Sequence, residues 1–295
     1  MALREGWSDA ELFRELRRGD LTRLRPGAYL TAEPADDTQR HRLQVAATLE
    51  ALRRPAVVSH QSAAVLLGMP LWGVDLRRVH VTRRPPASSE VGRHLRCHVA
   101  RLTDEDVVTV DGVPVTSPAR TALDLARTLA VEPAVVALDA ALRLDLVHRL
   151  ALDRLVEGVA GTPGSRSAAR VVRFADGRSE SVGESRSRLL LHRLGLTPSV
   201  LQLDVRSPTG RLLGRADFGW EQERVVGEFD GRITYGRLLR PGQDAGDVVF
   251  EEKRREDAFR DEDWGVVRWT WGDLAPGVLG PRVRRALDRG RRRSR

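Results

Sequence analysis

The sequence predicts a multidomain protein of mixed α+β (α/β) class. Three observations lead there. At 295 residues the chain has room for two or three small domains. Segments with apolar residues at helical spacing alternate with short runs of period-two alternation. The formal charge of +8 is unevenly divided among blocks set off by Gly- and Pro-containing breaks. Hydrophobic residues make up 41% of the chain and aromatics 5%, enough for ordinary soluble cores.

The first block, residues 1–54, opens with Ser8–Gly19. Ser8 and Glu11 form a capping box, and Leu12, Phe13 and Leu16 an apolar face. Leu21–Leu30 then reads as a turn and short strand broken at Pro26-Gly27, and Thr38–Arg54 as a second helix.

Residues 55–160 read as a mixed middle domain. A short strand at Val57 leads into a helix over Ser59–Leu67, stopped by Gly68 and Pro70. His60, near that helix start, is read as a capping or core residue in preference to a phosphate contact. Val79–Thr82 and Leu95–Val99 alternate like strands, and Val107–Val110 with Val113–Val115 make a hairpin about Asp111-Gly112. Helices follow at Thr116–Ala126, Glu132–Leu142 and Val147–Val159. His94, Cys97 and His98 lack a matching second half, and a strand scatters their side chains, which argues against zinc there.

Gly161-Thr-Pro-Gly-Ser-Arg166 is the best linker candidate, so 161–178 is taken as a linker with a basic helix. It lacks the Lys of a phosphate-binding loop. A helix over Ala168–Phe174 would align Arg166, Arg170 and Arg173 on one side, a basic face for DNA.

The last globular block, 179–280, carries 15 basic and 18 acidic residues, whereas 281–295 carries eight Arg and one Asp, a net of +7. That tail, with Arg291, Arg292 and Arg293, and Arg254 nearer the middle of the block, are the remaining expected DNA contacts. Ser181 and Glu184 start a helix that Gly195 stops. Gly214–Asp230 reads as two strands: Arg215–Trp220 carries Asp217, and Arg224–Phe229 carries Glu228, followed by Asp230. Period two puts Val226, Glu228 and Asp230 on one face, and Val225, Gly227 and Phe229 on the other. Carboxylates on such a strand call for a cation, and Asp with Glu suits hard divalent ions. A charged helix from Glu251 and a half-buried strand over Val266–Trp271 complete the block. Lys253 is the sole Lys among 49 basic residues.

In this order the C-terminal pieces resemble the PD-(D/E)XK nucleases, nearest the branch related to very-short-patch (Vsr-like) repair endonucleases. The resemblance implies a restriction-endonuclease-like fold and Mg²⁺- (or Mn²⁺-) dependent hydrolysis of DNA. Asp217 and Glu228 would be metal ligands, helped by Glu184. Asp230 stands where that family usually has Lys, and Lys253 would take the basic role. The L-x-R-x-x-x-G-x-Y run at 21–29 and the S-H-x-S-A-A segment at 59–64 resemble the AbiEi-type antitoxins of type IV toxin–antitoxin systems. This implies a short winged-helix-like N-terminus and an alternative function: a DNA-binding regulator whose nuclease-like part is a scaffold, with a cognate toxin or a second subunit as partner. One Cys and the lack of an apolar signal core fit a cytoplasmic protein. No apolar run approaches the ~20 residues of a membrane helix.

Overall fold

A computed structural model describes residues 7–231 and 254–293. It divides into two compact units, Met1–Ala175 and Asp176–Arg295.

The first unit begins with α1 (Asp9–Arg18), in which the Ser8–Glu11 capping box forms as expected. Gly19, at φ +83°, ends it in the left-handed conformation that glycine tolerates best. β1 (Thr22–Arg25) and β2 (Ala28–Leu30) form an antiparallel hairpin. α2 (Asp37–Ala51) is capped by Asp36, whose carboxylate accepts from the Gln39 N–H.

The body of this unit is a six-stranded mixed sheet. Its strands are β3 (Val57–Val58), β4 (Val79–Arg83), β5 (Glu90–Val91), β6 (Leu95–Val99), β7 (Val107–Val110) and β8 (Val113–Thr116), in the order β5-β6-β4-β3-β8-β7. α3 (His60–Leu66) leaves β3 directly. Val58, Val79, Val81, Cys97 and Val115 form one buried cluster of the unit, with α2 and α3 contributing Val45 and Ala63. The helices α4 (Pro118–Thr128), α5 (Val131–Arg143), α6 (Arg149–Gly158) and α7 (Ser165–Phe174) enclose a second cluster. Pro118 suits the first turn of α4, where its missing N–H has no helical partner. Residues 161–178, expected as a linker with a basic helix, contain the division between the units, but most of the stretch is packed helix. Ala168, Val171 and Val172 of α7 are buried in the helical cluster, and the division falls after Ala175.

In the second unit α8 (Val182–Arg193) precedes a four-stranded sheet. Its strands are β9 (Val200–Arg206), β10 (Leu212–Trp220), β11 (Val225–Phe229) and β12 (Gly265–Trp269), ordered β12-β11-β10-β9. β9, β10 and β11 are antiparallel neighbours, and β12 joins β11 in parallel. Residues 254–261 form α9, and α10 (Leu279–Arg293) ends the described chain. One face of the sheet packs Phe218, Trp220, Val225 and Trp269 against Leu191 of α8 and Leu279, Val283 and Leu287 of α10. A second cluster joins Val205, Ala216 and Val226 to Phe259 of α9. β11 thus alternates as expected, with Val225 in one core and Val226 in the other. The expected basic tail is a helix: α10 buries Leu279, Val283, Ala286, Leu287 and Gly290 while its arginines face out. Its close seating depends on Gly290, since a β-carbon there would lie 2.1 Å from the Glu223 carbonyl oxygen.

Candidate functional site

The second unit gathers carboxylates around the β10–β11 pairing and the start of α8. Ser181 caps α8 by accepting the Glu184 backbone N–H at 3.1 Å. The Glu184 carboxylate reaches past Ser181. Its Oε2 accepts the Glu180 N–H at 2.8 Å and the Gln202 carboxamide Nε2–H at 2.9 Å. Gln202 lies on β9 with φ +55°, an uncommon backbone state for a residue with a side chain. Gly183, beside Glu184, admits the Phe229 ring so closely that a β-carbon would fall 1.8 Å from it.

Asp217, on β10, accepts the Phe229 N–H at 2.8 Å. Its pKa is pushed up to about 7, chiefly by burial and then by the negative charge of Glu184. The Phe229 N–H works against that shift, and Glu228 and Glu180 add to it. Glu184 is also raised, again mainly by burial. The two carboxyls thus share a poorly hydrated site in which one charge opposes the other.

Glu228 is buried but differently placed. It lies on the same face of β11 as Val226, toward α9. There Arg255 Nη2 donates to its Oε1 at 2.9 Å, and Arg268 Nε on β12 approaches Oε2 at 2.8 Å. Both carboxylate oxygens therefore already face guanidinium groups. No three of these carboxylates bring oxygens within 4.8 Å of one another among the described residues. Asp230 follows β11 half-buried, its N–H donating to the Trp269 carbonyl at 2.8 Å. Lys253 lies outside the described residues.

The expected nucleic-acid contacts divide between the units. Arg166, Arg170 and Arg173 are exposed along α7 in the first, as their spacing implies. In the second, Arg254 is exposed on α9 and Arg291, Arg292 and Arg293 on the last turn of α10. Arg291 also pairs with Glu223 and Asp288, both within 3.3 Å.

Gln202, Arg255 and Arg268 are the site residues that the sequence reading missed. Gln202 stands between two leucines in Val200-Leu-Gln-Leu-Asp-Val205, a pattern that signals a strand but gives a polar residue no reason to face inward. Arg255 and Arg268 were hidden in an arginine-rich background.

The sequence profile of the AbiEi antitoxin C-terminal domain matches residues 56–174. This span runs from the start of β3 to the end of α7. Two uncharacterized proteins of Mycobacterium tuberculosis, from strains CDC 1551 / Oshkosh and H37Rv, are each 28% identical to this chain over 292 residues. The match covers 94% of this chain and 96% of each relative.

Proposed function

We propose that this chain is an antitoxin-like, DNA-binding regulator that works with a cognate toxin. The observation that carries this reading is the AbiEi antitoxin match over 56–174, which coincides with the sheet and helical cluster of the first unit. The exposed arginines of α7 and α10 supply phosphate-binding charge. Phosphate contacts position a protein on DNA without specifying sequence, so the discriminating experiment is selection from a random duplex library in EDTA. The expected result is an enriched sequence bound without divalent metal. Binding with no sequence preference, lost when Arg291, Arg292 and Arg293 are replaced by Ala, would leave only adventitious charge and overturn the reading.

A second reading, Mg²⁺- or Mn²⁺-dependent hydrolysis of DNA phosphodiesters, is favoured by the desolvated Glu184–Asp217 pair. Those two carboxyls suit a hard cation, which commonly uses one or two protein carboxylates and completes its shell with water and phosphate. Glu228 does not suit it while Arg255 and Arg268 hold both its oxygens. When bound, the ion would polarise a phosphate and acidify water. Calorimetric Mn²⁺ titration with plasmid nicking, on wild type and Asp217→Asn, separates the two readings. Binding and nicking that both vanish in the variant favour the nuclease, while a wild type that takes up no ion removes it.

A further inference from the structure

Three imidazoles meet in the first unit. β4 and β6 pair in parallel with Thr82 opposite His98. His80, two residues before Thr82, therefore shares a face with His98 and is its diagonal neighbour. Val79, Val81 and Cys97 point the other way, into the core. His60 is the first residue of α3, just after the N-cap Ser59, whose N–H donates to the His80 carbonyl at 3.0 Å. The Nε2 of His98 lies 3.1 Å from the Nδ1 of His80, and the rings of His60 and His98 stack at 3.7 Å. One ring nitrogen of each histidine lies within 4.8 Å of the other two. His60 also holds φ at +54°, a conformation uncommon for a residue with a side chain.

We propose that His60, His80 and His98 bind one first-row divalent transition-metal ion, with Zn²⁺ the best fit. The donors are neutral nitrogens without carboxylate or thiolate, a set that suits zinc, copper or nickel and disfavours magnesium and calcium. Three protein ligands leave a fourth position for water or an added ligand. Tetrahedral bonds of ~2.0–2.1 Å place donors roughly 3.3 Å apart, close to the His80–His98 separation. Stacked rings aim their lone pairs in parallel, so the His60 ring turns on binding while its partners close in.

The outer contacts are also present. His60 Nδ1 lies 3.0 Å from Ser59 Oγ, which leaves its Nε2 for the ion. His80 Nε2 lies 2.8 Å from the Gln61 carboxamide nitrogen. With metal on Nδ1, His80 carries its proton on Nε2, and the carboxamide turns its oxygen to accept it. His98 is only half-buried and gives the ion a way in.

The test is Zn²⁺ titration of the full metal-stripped chain against a chromophoric chelator, with Co²⁺ substitution read in visible absorption. One equivalent should bind, and Co²⁺ should show intense tetrahedral bands. His98→Gln should abolish both, Gln61→Ala should weaken binding about 10–100-fold, and His192→Gln, in the other unit, should change neither. A folded wild type that binds no stoichiometric Zn²⁺, or binding that survives His98→Gln, overturns the site. Should His98→Gln fail to fold, the wild-type Co²⁺ spectrum decides alone: octahedral or absent bands overturn the proposal.

Discussion

Asp217 shows what a single buried carboxyl does to the stability of the fold. Its pKa rises from 3.8 to about 7 on folding, so the folded chain holds a proton that the unfolded chain releases. Below pH 3.8 both states are protonated and the shift costs nothing. As pH climbs from there toward 7 the folded state loses ground, and above 7 the loss is complete. Asp217→Asn removes the charge while its carboxamide oxygen still accepts the Phe229 N–H. The variant should exceed wild type by on the order of 1–3 kcal/mol at pH 8, with the difference closing toward pH 4. Urea unfolding at the two pH values checks this. A mirror case is Arg120, buried against Asp124 and Asp106 at 3.1 Å. Arg120→Ala strands Asp124 in a site whose burial already raises its pKa, and should cost about 3–5 kcal/mol in the same measurement.

Among the elements, those whose signal is local were legible in the sequence. The capping box of α1, the Pro118 start of α4 and the alternation along β11 were read directly from residue type and spacing. So were the two strands β10 and β11, which pair antiparallel with Phe218 opposite Gly227. Elements that depend on a distant partner were not. β9 escaped notice although Val200-Leu-Gln-Leu alternates, and the two-residue β5 exists only because β6 lies beside it. α10 was masked by its charge: seven arginines overwhelm four apolar residues until their spacing at 279, 283, 286 and 287 is read as one stripe. The site followed the same rule. Asp217 and Glu184 were singled out by type and order, but the guanidinium partners of Glu228 belong to α9 and β12, which only folding brings to it. Gly290→Ala tests the seating of α10. The added methyl meets the Glu223 carbonyl and should lower stability by about 1–3 kcal/mol, visible as a lower thermal midpoint.

For the whole molecule the governing quantity is charge. A net of +8 with a sequence pI near 10.9 makes some affinity for any nucleic acid unavoidable, so affinity alone says little. Its salt dependence says more. Each phosphate neutralised contributes about −0.9 to the slope of log K against log salt. Replacing Arg166, Arg170 and Arg173 with Ala should flatten that slope by up to about three if α7 lies along the backbone. An unchanged slope, measured by fluorescence anisotropy across a salt series, would remove α7 from the interface.

The parallel pairing of β11 with β12 also sets a clock. Residues 230–264 separate the two strands in the chain, so β12 can dock only after that span closes, an entropic cost the β10–β11 hairpin never meets. Trp269 rides on β12, and its indole N–H reaches Ser187 Oγ at 2.8 Å only once the strand is seated. Refolding of the second unit should therefore run in two tempos. The hairpin and helices form first, and the fluorescence of Trp269 changes last.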